Sequence, residues 1–361
     1  MSVYLLMLIA FMASVGISIY STKRIIGFSK RVGIVDDPNS EYRKIHTRLV
    51  PNIGGIAVFL SAMSVYFALC NFNTIHRPDK LFSISIILFF IGIKDDFEPI
   101  SYNRRIIYEF LCAFLIIIIA DIRILSMYGI FGVDDLPYWV SFIMTSVFIV
   151  ACINAYNMID GIDGLLTSLC LVGSLVFAVI FFCARDYAWA LLCMCLAGSL
   201  LGFLRYNWQP AKIFMGNGGS MFLGTLFACL SLRLMQISLI DNTFFTVPIM
   251  PITIALGVIA IPLVDMLTVI VVRILRKKSP FKADRSHIHH RLLDIGLSHW
   301  QTVLVLVFVN FLIVFFAILV QYQGALISIL STLAFCVVLE ITMIFMHQLF
   351  LKKGKCNEIC F

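Results

Sequence analysis

Residues 303–320 read VLVLVFVNFLIVFFAILV. The run approaches the ~20 residues that an α-helix needs to cross a hydrocarbon core of about 30 Å. Both of its faces are apolar, so it lacks the alternating polarity of a barrel strand of about ten residues. Residues 81–93, LFSISIILFFIGI, repeat the pattern over a shorter length. Hydrophobic residues form 61% of the 361-residue chain and charged residues 13%, with mean hydropathy +1.00. Soluble domains carry about 45–50% apolar and about 25% charged residues. A soluble enzyme, a nucleic-acid-binding domain and a disulfide-stapled secreted module are poor fits to this balance. In lipid the backbone must satisfy its own hydrogen bonds, which favours helices. The expected fold is therefore an all-α polytopic membrane protein.

Eleven transmembrane helices can be drawn, near 3–21, 53–71, 81–93, 106–122, 138–156, 166–184, 188–205, 219–236, 247–271, 301–320 and 325–350. The first lacks a basic start and a small-residue cleavage site, so it reads as a retained span rather than a leader. No internal repeat is visible, which weakens a transporter built from duplicated halves. Of the 11 cysteines, Cys70, Cys112, Cys152, Cys229 and Cys336 lie in apolar runs and read as small hydrophobes.

Positive charge then orients the chain. If the loops are numbered alternately, all but five of the 27 Lys and Arg residues fall on one side, the exceptions being Arg77, Lys80, Arg123, Arg185 and Arg233. Basic residues concentrate in cytoplasmic loops, so the N-terminus is expected outside and the C-terminus inside. The net charge of +7 is then a topology signal and calls for no nucleic acid.

The unusual polar segments fall on that same cytoplasmic side. Asp95 and Asp96 end the third span; adjacent carboxylates near lipid repel each other, and a divalent cation would relieve the cost. The alternative is a pair of solvated loop acids. Asp160 and Asp163 in NMIDGIDG share one side of a helical turn, with Asn154 and Asn157 on the preceding span; a polar helix end would look similar. MGNGGS, residues 215–220, is a Gly-rich turn before a span, suited to presenting N–H groups to an anion or acting as a connector capped by Ser220. HIHH brings His287, His289 and His290 together, flanked by Lys278, Lys282, Arg285 and Arg291, and the bases favour an anion over zinc as guest. The first loop supplies Asp36, Asp37, Arg43, Lys44, His46 and Arg48. Acids for a metal, bases for phosphate and a Gly-rich turn at one membrane face suggest phosphoryl chemistry on a substrate that is part lipid.

These segments resemble those of the polyprenyl-phosphate N-acetylhexosaminyl-1-phosphate transferases (glycosyltransferase family 4). The correspondence rests on DDPN…RKIHTRLVPNIGG, GIKDD, NAYNMIDGIDGL, MGNGGS and SPFKADRSHIHHRL, in that order, from near residue 30 to residue 295. The resemblance implies an enzyme of the bacterial cytoplasmic (inner) membrane, with ten or eleven helices and a cytoplasmic active site. It would transfer a sugar-1-phosphate from a UDP-sugar to undecaprenyl phosphate and release UMP, using Mg²⁺ or Mn²⁺. The HIHH form is similar to the UDP-N-acetylglucosamine branch, which begins surface polysaccharides such as O-antigen. The UDP-N-acetylmuramoyl-pentapeptide branch usually has three adjacent histidines, a run that Ile288 interrupts here. Residues 1–350 would form one transmembrane catalytic domain and 351–361 a short cytoplasmic tail; a homodimer stays open.

On that resemblance, Asp95, Asp96, Asp160, Asp163, His287, His289 and His290 are the expected catalytic residues. Asp163, Asn217 and Asp96 are the expected metal ligands. Lys44, His46, Asn52, Asn157, Lys212, Gly216, Gly218, Ser220 and Arg285 would bind substrate. Asn217 departs from the family, which usually carries a metal-binding Asp there. Direct transfer and a double displacement through an aspartyl-phosphate both remain open, and a transporter or flippase for a phosphorylated lipid is the rival from another class.

Overall fold

The computed structural model describes residues 2–34, 49–70, 78–240, 251–277, 279 and 287–359. Within the described residues the fourth drawn run continues into a π-helical turn, Ile116–Ala120, and the drawn apolar runs fall mainly on α-helices. These are α1 (Val3–Val32), α2 (Gly55–Leu69), α3 (Asp79–Phe97), α4 (Tyr102–Leu115), α5 (Tyr138–Ile159), α6 (Leu165–Cys183), α7 (Tyr187–Asn207), α8 (Gly216–Ile240), α9 (Pro251–Val258), α10 (Ala260–Leu275), α11 (Ile288–Asp294), α12 (His299–Val320) and α13 (Ala325–Ile359).

Seven helices among the described residues are long and apolar enough to cross a membrane: α1, α5, α6, α7, α8, α12 and α13. The pair α9 and α10 makes an eighth if it counts as one bent span. The remaining drawn spans fall on α2, which has 15 residues, and on α3 and α4, whose ends carry Asp79, Lys94, Asp95, Asp96, Arg104 and Arg105. One departure from an all-α chain is a small antiparallel hairpin between α4 and α5, β1 (Ser126–Ile130) with β2 (Val133–Asp135). Its connecting residues Phe131 and Gly132 both have positive φ, as a primed two-residue hairpin turn requires.

The bundle is organised around α8, whose membrane-length window is wholly buried against α2, α3, α5 and α9. Close approach elsewhere uses small residues. A Cβ on Gly198 or Gly202 of α7 would sit 2.3 Å from the Phe11 carbonyl or 2.6 Å from the Val15 carbonyl of α1. Backbones packed this closely gain van der Waals contact where no hydrophobic force separates helix from lipid.

The ninth drawn span is not a single rod. It bends by 73° between α9 and α10. Pro262 has no N–H to give the Val258 carbonyl one turn before it. That carbonyl instead accepts a hydrogen bond from Asn310 Nδ2 at 3.2 Å. Asn310 is the one polar residue of the 303–320 run, and a buried backbone acceptor explains its presence there.

Candidate active site

Helices that alternate in direction bring the C-terminal ends of α3, α5 and α7 beside the N-terminal ends of α2, α8 and α12. The contacts between these ends build the site. Gly54 and Gly55 at the start of α2 donate backbone hydrogen bonds to the carbonyls of Phe214 and Met215, at 2.9 and 2.8 Å, which pins the Gly-rich turn. A Cβ on Gly55 would lie 2.3 Å from Gly219 Cα, and one on Gly92 of α3 would lie 2.6 Å from Gly218 Cα. The glycines of MGNGGS are therefore needed for three helices to converge at the start of α8.

Asp96 occupies that helix start. Its Oδ1 accepts from the Asn217 backbone N–H at 2.8 Å and from Asn52 Nδ2 at 3.2 Å, and its Oδ2 accepts from the Gly218 N–H at 3.1 Å. Two donors expected to face a substrate anion thus face a carboxylate of the chain itself. The bond is favourable because the first N–H groups of a helix lack internal partners and carry partial positive charge. Burial pushes the Asp96 carboxyl up to about 7; the two backbone N–H groups oppose that shift, while Asp95 and Asp160 add to it.

Asp95 is buried and accepts from the Ile100 N–H at 2.6 Å and from Asn217 Nδ2 at 3.1 Å. Arg105 stands 3.9 Å from it and also reaches Glu109 and Asn154, at 3.5 Å each. Asn217 Oδ1 in turn accepts from Asn157 Nδ2 at 2.8 Å, and the same amide reaches the buried Ser220 Oγ at 2.9 Å. Asp95, Asp96, Asn52, Asn157, Gly216, Gly218, Asn217 and Ser220 accordingly form one connected cluster. Gly216 and Gly218 are buried packing elements within it rather than an open anion cradle.

Asp160 caps α5. Burial, followed by the neighbouring Asp163, pushes its carboxyl up to about 7. Asp163 Oδ2 accepts from the Ala211 N–H at 3.0 Å and lies 3.6 Å from His299 Nδ1. Lys212, the next residue after Ala211, is exposed. Asp160 interacts electrostatically with both Asp96 and Asp163, and so joins the two halves of the site.

The histidines approach from α11. A Cβ on Gly161 would lie 2.3 Å from His289 Nε2, so the turn between Asp160 and Asp163 packs directly on that ring. His289 is buried, and neither of its ring nitrogens has a hydrogen-bond partner among the described residues. Burial and then His290, His287 and His299 hold its pKa well below the ordinary value. The rings of His289 and His290 lie 4.4 Å apart, and those of His287 and His289 are stacked at 5.6 Å. Lys44, His46 and Arg285 lie outside the described residues.

Asp163, Asn217 and Asp96 do not form a closed cage. Among the described residues no three His, Cys, Asp or Glu side chains are grouped so as to hold a metal ion. The chemistry nevertheless suits a hard cation: half-buried Asp96 and Asp160 each face another carboxylate, and Mg²⁺ is commonly held by one or two carboxylates plus substrate phosphate and water.

Three acids here went unread in the sequence: Glu109, Asp265 and Glu340. Asp265 contacts His287, and Glu340 pairs with Arg291 at 2.9 Å. Each lies inside a drawn apolar span, and an ionisable group in such a span is itself a marker of function or of a buried pair. His299 also belongs to the site, and nothing in its exposed-looking LSHW context distinguishes it.

Fold and site together describe a polytopic helical membrane protein with acids, amides and histidines gathered at one end of its bundle. A family model described as glycosyl transferase family 4 matches residues 80–235. The chain is 30% identical over 358 residues to the probable undecaprenyl-phosphate N-acetylglucosaminyl 1-phosphate transferase of Bacillus subtilis (strain 168), covering 97% of this chain and 93% of that one. It is 31% identical over 302 residues to the undecaprenyl-phosphate alpha-N-acetylglucosaminyl 1-phosphate transferase of Escherichia coli (strain K12), covering 82% and 78%. The protein of that name from Yersinia pestis is 32% identical over 278 residues, 75% and 72% of the two chains. The chain belongs to glycosyl transferase family 4.

Proposed function

We propose that the protein transfers N-acetylglucosamine-1-phosphate from its UDP-sugar to undecaprenyl phosphate and releases UMP. The relatives' names support the transferred group and the acceptor; the UDP-sugar donor rests on the resemblance of the motifs. The observation that carries the reading is the network in which Asp96 sits on the N–H groups of Asn217 and Gly218 and Asn157 bonds Asn217 and Ser220, which joins the GIKDD, NAYNMIDGIDGL and MGNGGS segments in one cluster. Eleven spans, with the N-terminus outside and the C-terminus in the cytoplasm, put this cluster at the cytoplasmic face of a bacterial inner membrane. The support is the one-sided distribution of Lys and Arg.

In this reading an oxygen of the acceptor phosphate attacks the β-phosphorus of the UDP-sugar, and the bond to UMP breaks in line. The acceptor is already anionic near pH 7, so alignment matters more than deprotonation. Asp95 helps to orient it; His287, His289, His290 and Arg285, with Lys44 and His46, hold phosphates; Asn52, Asn157 and Lys212, with Asp160, bind the nucleotide side. Asp96 and Asp163, with Asn217 as an uncharged oxygen donor, would hold Mg²⁺ (or Mn²⁺), which when bound neutralises diphosphate charge. A transporter is the weaker alternative, because these acids gather at helix ends rather than along a central path.

The test is UMP release by purified protein supplied with undecaprenyl phosphate, Mg²⁺ and a panel of UDP-sugars. Release is expected with UDP-N-acetylglucosamine and should fall steeply in Asp95→Asn, Asp96→Asn and Asp163→Asn. Turnover near wild type in all three variants removes the site.

A further inference from the structure

The histidine segment is held from beneath by an acid that the proposed reaction does not use. Asp265 lies on α10, is 2% exposed, and spends both carboxylate oxygens on this segment. Its Oδ1 accepts from the Ile288 N–H at 2.7 Å, and its Oδ2 lies 2.8 Å from His287 Nδ1. One turn along α11, Arg291 is paired with Glu340 of α13 at 2.9 Å, and Glu340 lines the same small cavity as Asp265 and Ile288. The short helix is thus tied by two buried carboxylates that reach it from different helices. α10 also packs against α5, which leads into the Asp160–Asp163 turn. One helix therefore supports both partners of the Gly161–His289 contact.

An ionised carboxylate can only accept hydrogen bonds, and opposite one the His287 ring carries its proton on Nδ1. Its Nε2 is then the nitrogen left for other partners. The partner of one ring nitrogen sets the chemical role of the other.

We propose that Asp265 is a positioning residue: it fixes the Nδ1–H form of His287 and the start of α11, and so holds the three histidines in register with the Asp160–Asp163 turn. The effect on catalysis rests on the proposed transferase reading; the effect on the ring does not. Asp265→Asn separates the two functions of the carboxylate. The amide has a single acceptor oxygen, which the Ile288 N–H requires. Its NH₂ then faces His287 Nδ1 and moves the ring proton to Nε2. Asp265→Glu keeps two acceptor oxygens.

The experiment is ¹⁵N NMR of the histidine rings in detergent micelles, with His287 assigned by the loss of its signals in His287→Asn, together with UMP-release kinetics. Wild type and Asp265→Glu should show Nδ1–H. Asp265→Asn should show Nε2–H and lose about 10–100-fold in kcat/KM, the usual scale for an outer-shell partner. A wild-type His287 protonated on Nε2 alone overturns the proposal, as does an Asp265→Asn protein with the ring and turnover unchanged. If Asp265→Asn does not fold, the wild-type spectrum still decides. If wild type releases UMP from no donor, the transferase reading fails while the ring spectra still test Asp265.

Discussion

Gly161 and His289 meet with no room between them: a Cβ at position 161 would lie 2.3 Å from Nε2 and 2.9 Å from Cε1 of the imidazole. The turn carrying Asp160 and Asp163 and the histidine segment are thereby set to one spacing. Because His289 is buried among other rings, it cannot swing aside without moving its neighbours. Gly161→Ala should displace the ring by about 1 Å, and a misplacement of that size can cost on the order of 100-fold in rate. UMP release by Gly161→Ala should fall accordingly, while Gly16→Ala, where nothing lies within 4 Å of the added methyl, should match wild type. Equal rates for the two variants would show that this contact does not set the site.

The parts of the molecule that the sequence reveals are those governed by single-segment physics. An apolar run of spanning length has to be a helix in lipid, so the drawn runs coincide with helices. The bend at Ile259 is different: it depends on Pro262 freeing a carbonyl and on Asn310, far along the chain, accepting the task. At the site, DD, IDGID, MGNGGS and HIHH announce themselves by unusual local composition. Their partners do not. Asp265, Glu109 and Glu340 are lone acids in apolar helices, and their meaning lies in the residue each meets across the bundle. The Gly-rich turn shows the limit most clearly. Its glycines suggest an anion cradle, but only the packing of Gly55 on Gly219 and Gly92 on Gly218 shows that close helix approach requires them.

Asn217, where the motif resemblance implies a carboxylate, carries an amide that donates to Asp95 at 3.1 Å and accepts from Asn157 at 2.8 Å. In Asn217→Asp an oxygen would face the Asp95 carboxylate, leaving a repulsive pair where a hydrogen bond had been. The metal-free variant should lose about 1–3 kcal/mol, the scale of an unmade buried hydrogen bond. Added Mg²⁺ should restore stability through preferential binding to the folded state. Thermal unfolding in detergent, followed against Mg²⁺ concentration, should show a larger rise in Tm for Asn217→Asp than for wild type, with activity at low Mg²⁺ preserved or raised. A variant indifferent to Mg²⁺ would remove position 217 from the cation's surroundings.

His289 makes stability depend on pH in a direction that can be isolated. Its folded-state pKa lies well below the unfolded value of 6.5, with burial the leading cause. The unfolded chain therefore takes up a proton more readily than the folded one as pH falls. The contribution is complete above about pH 6.5 and is lost progressively below it. Asp96 and Asp160 act in the opposite sense: their folded values are raised to about 7 from 3.8, so the stability they give at low pH is lost as pH rises toward 7. The comparison is consequently made between proteins. From pH 7.5 to 5, the Tm of wild type should fall relative to that of His289→Asn, which carries no imidazole there. Parallel curves would mean that His289 is not held neutral by its burial.

Gly92 provides a test of the packing that seats Asp96. It is buried on α3, one turn before Asp95 and Asp96, and a methyl there would come within 2.6 Å of Gly218 Cα and 2.8 Å of the Asn217 carbonyl. These are backbone atoms, so no side-chain rotation relieves the clash. Gly92→Ala should destabilise by about 1–3 kcal/mol through overpacking, despite the roughly 1 kcal/mol that Ala gains over Gly in a helix interior. Gly16→Ala, with open space around it on α1, should keep that gain and raise Tm slightly. The same wedge would separate α3 from the start of α8 and pull Asp96 off the Asn217 and Gly218 N–H groups, so Gly92→Ala should lose activity even below its unfolding temperature. A fully active, equally stable Gly92→Ala protein would show that α3 and α8 do not depend on this contact to place the carboxylate.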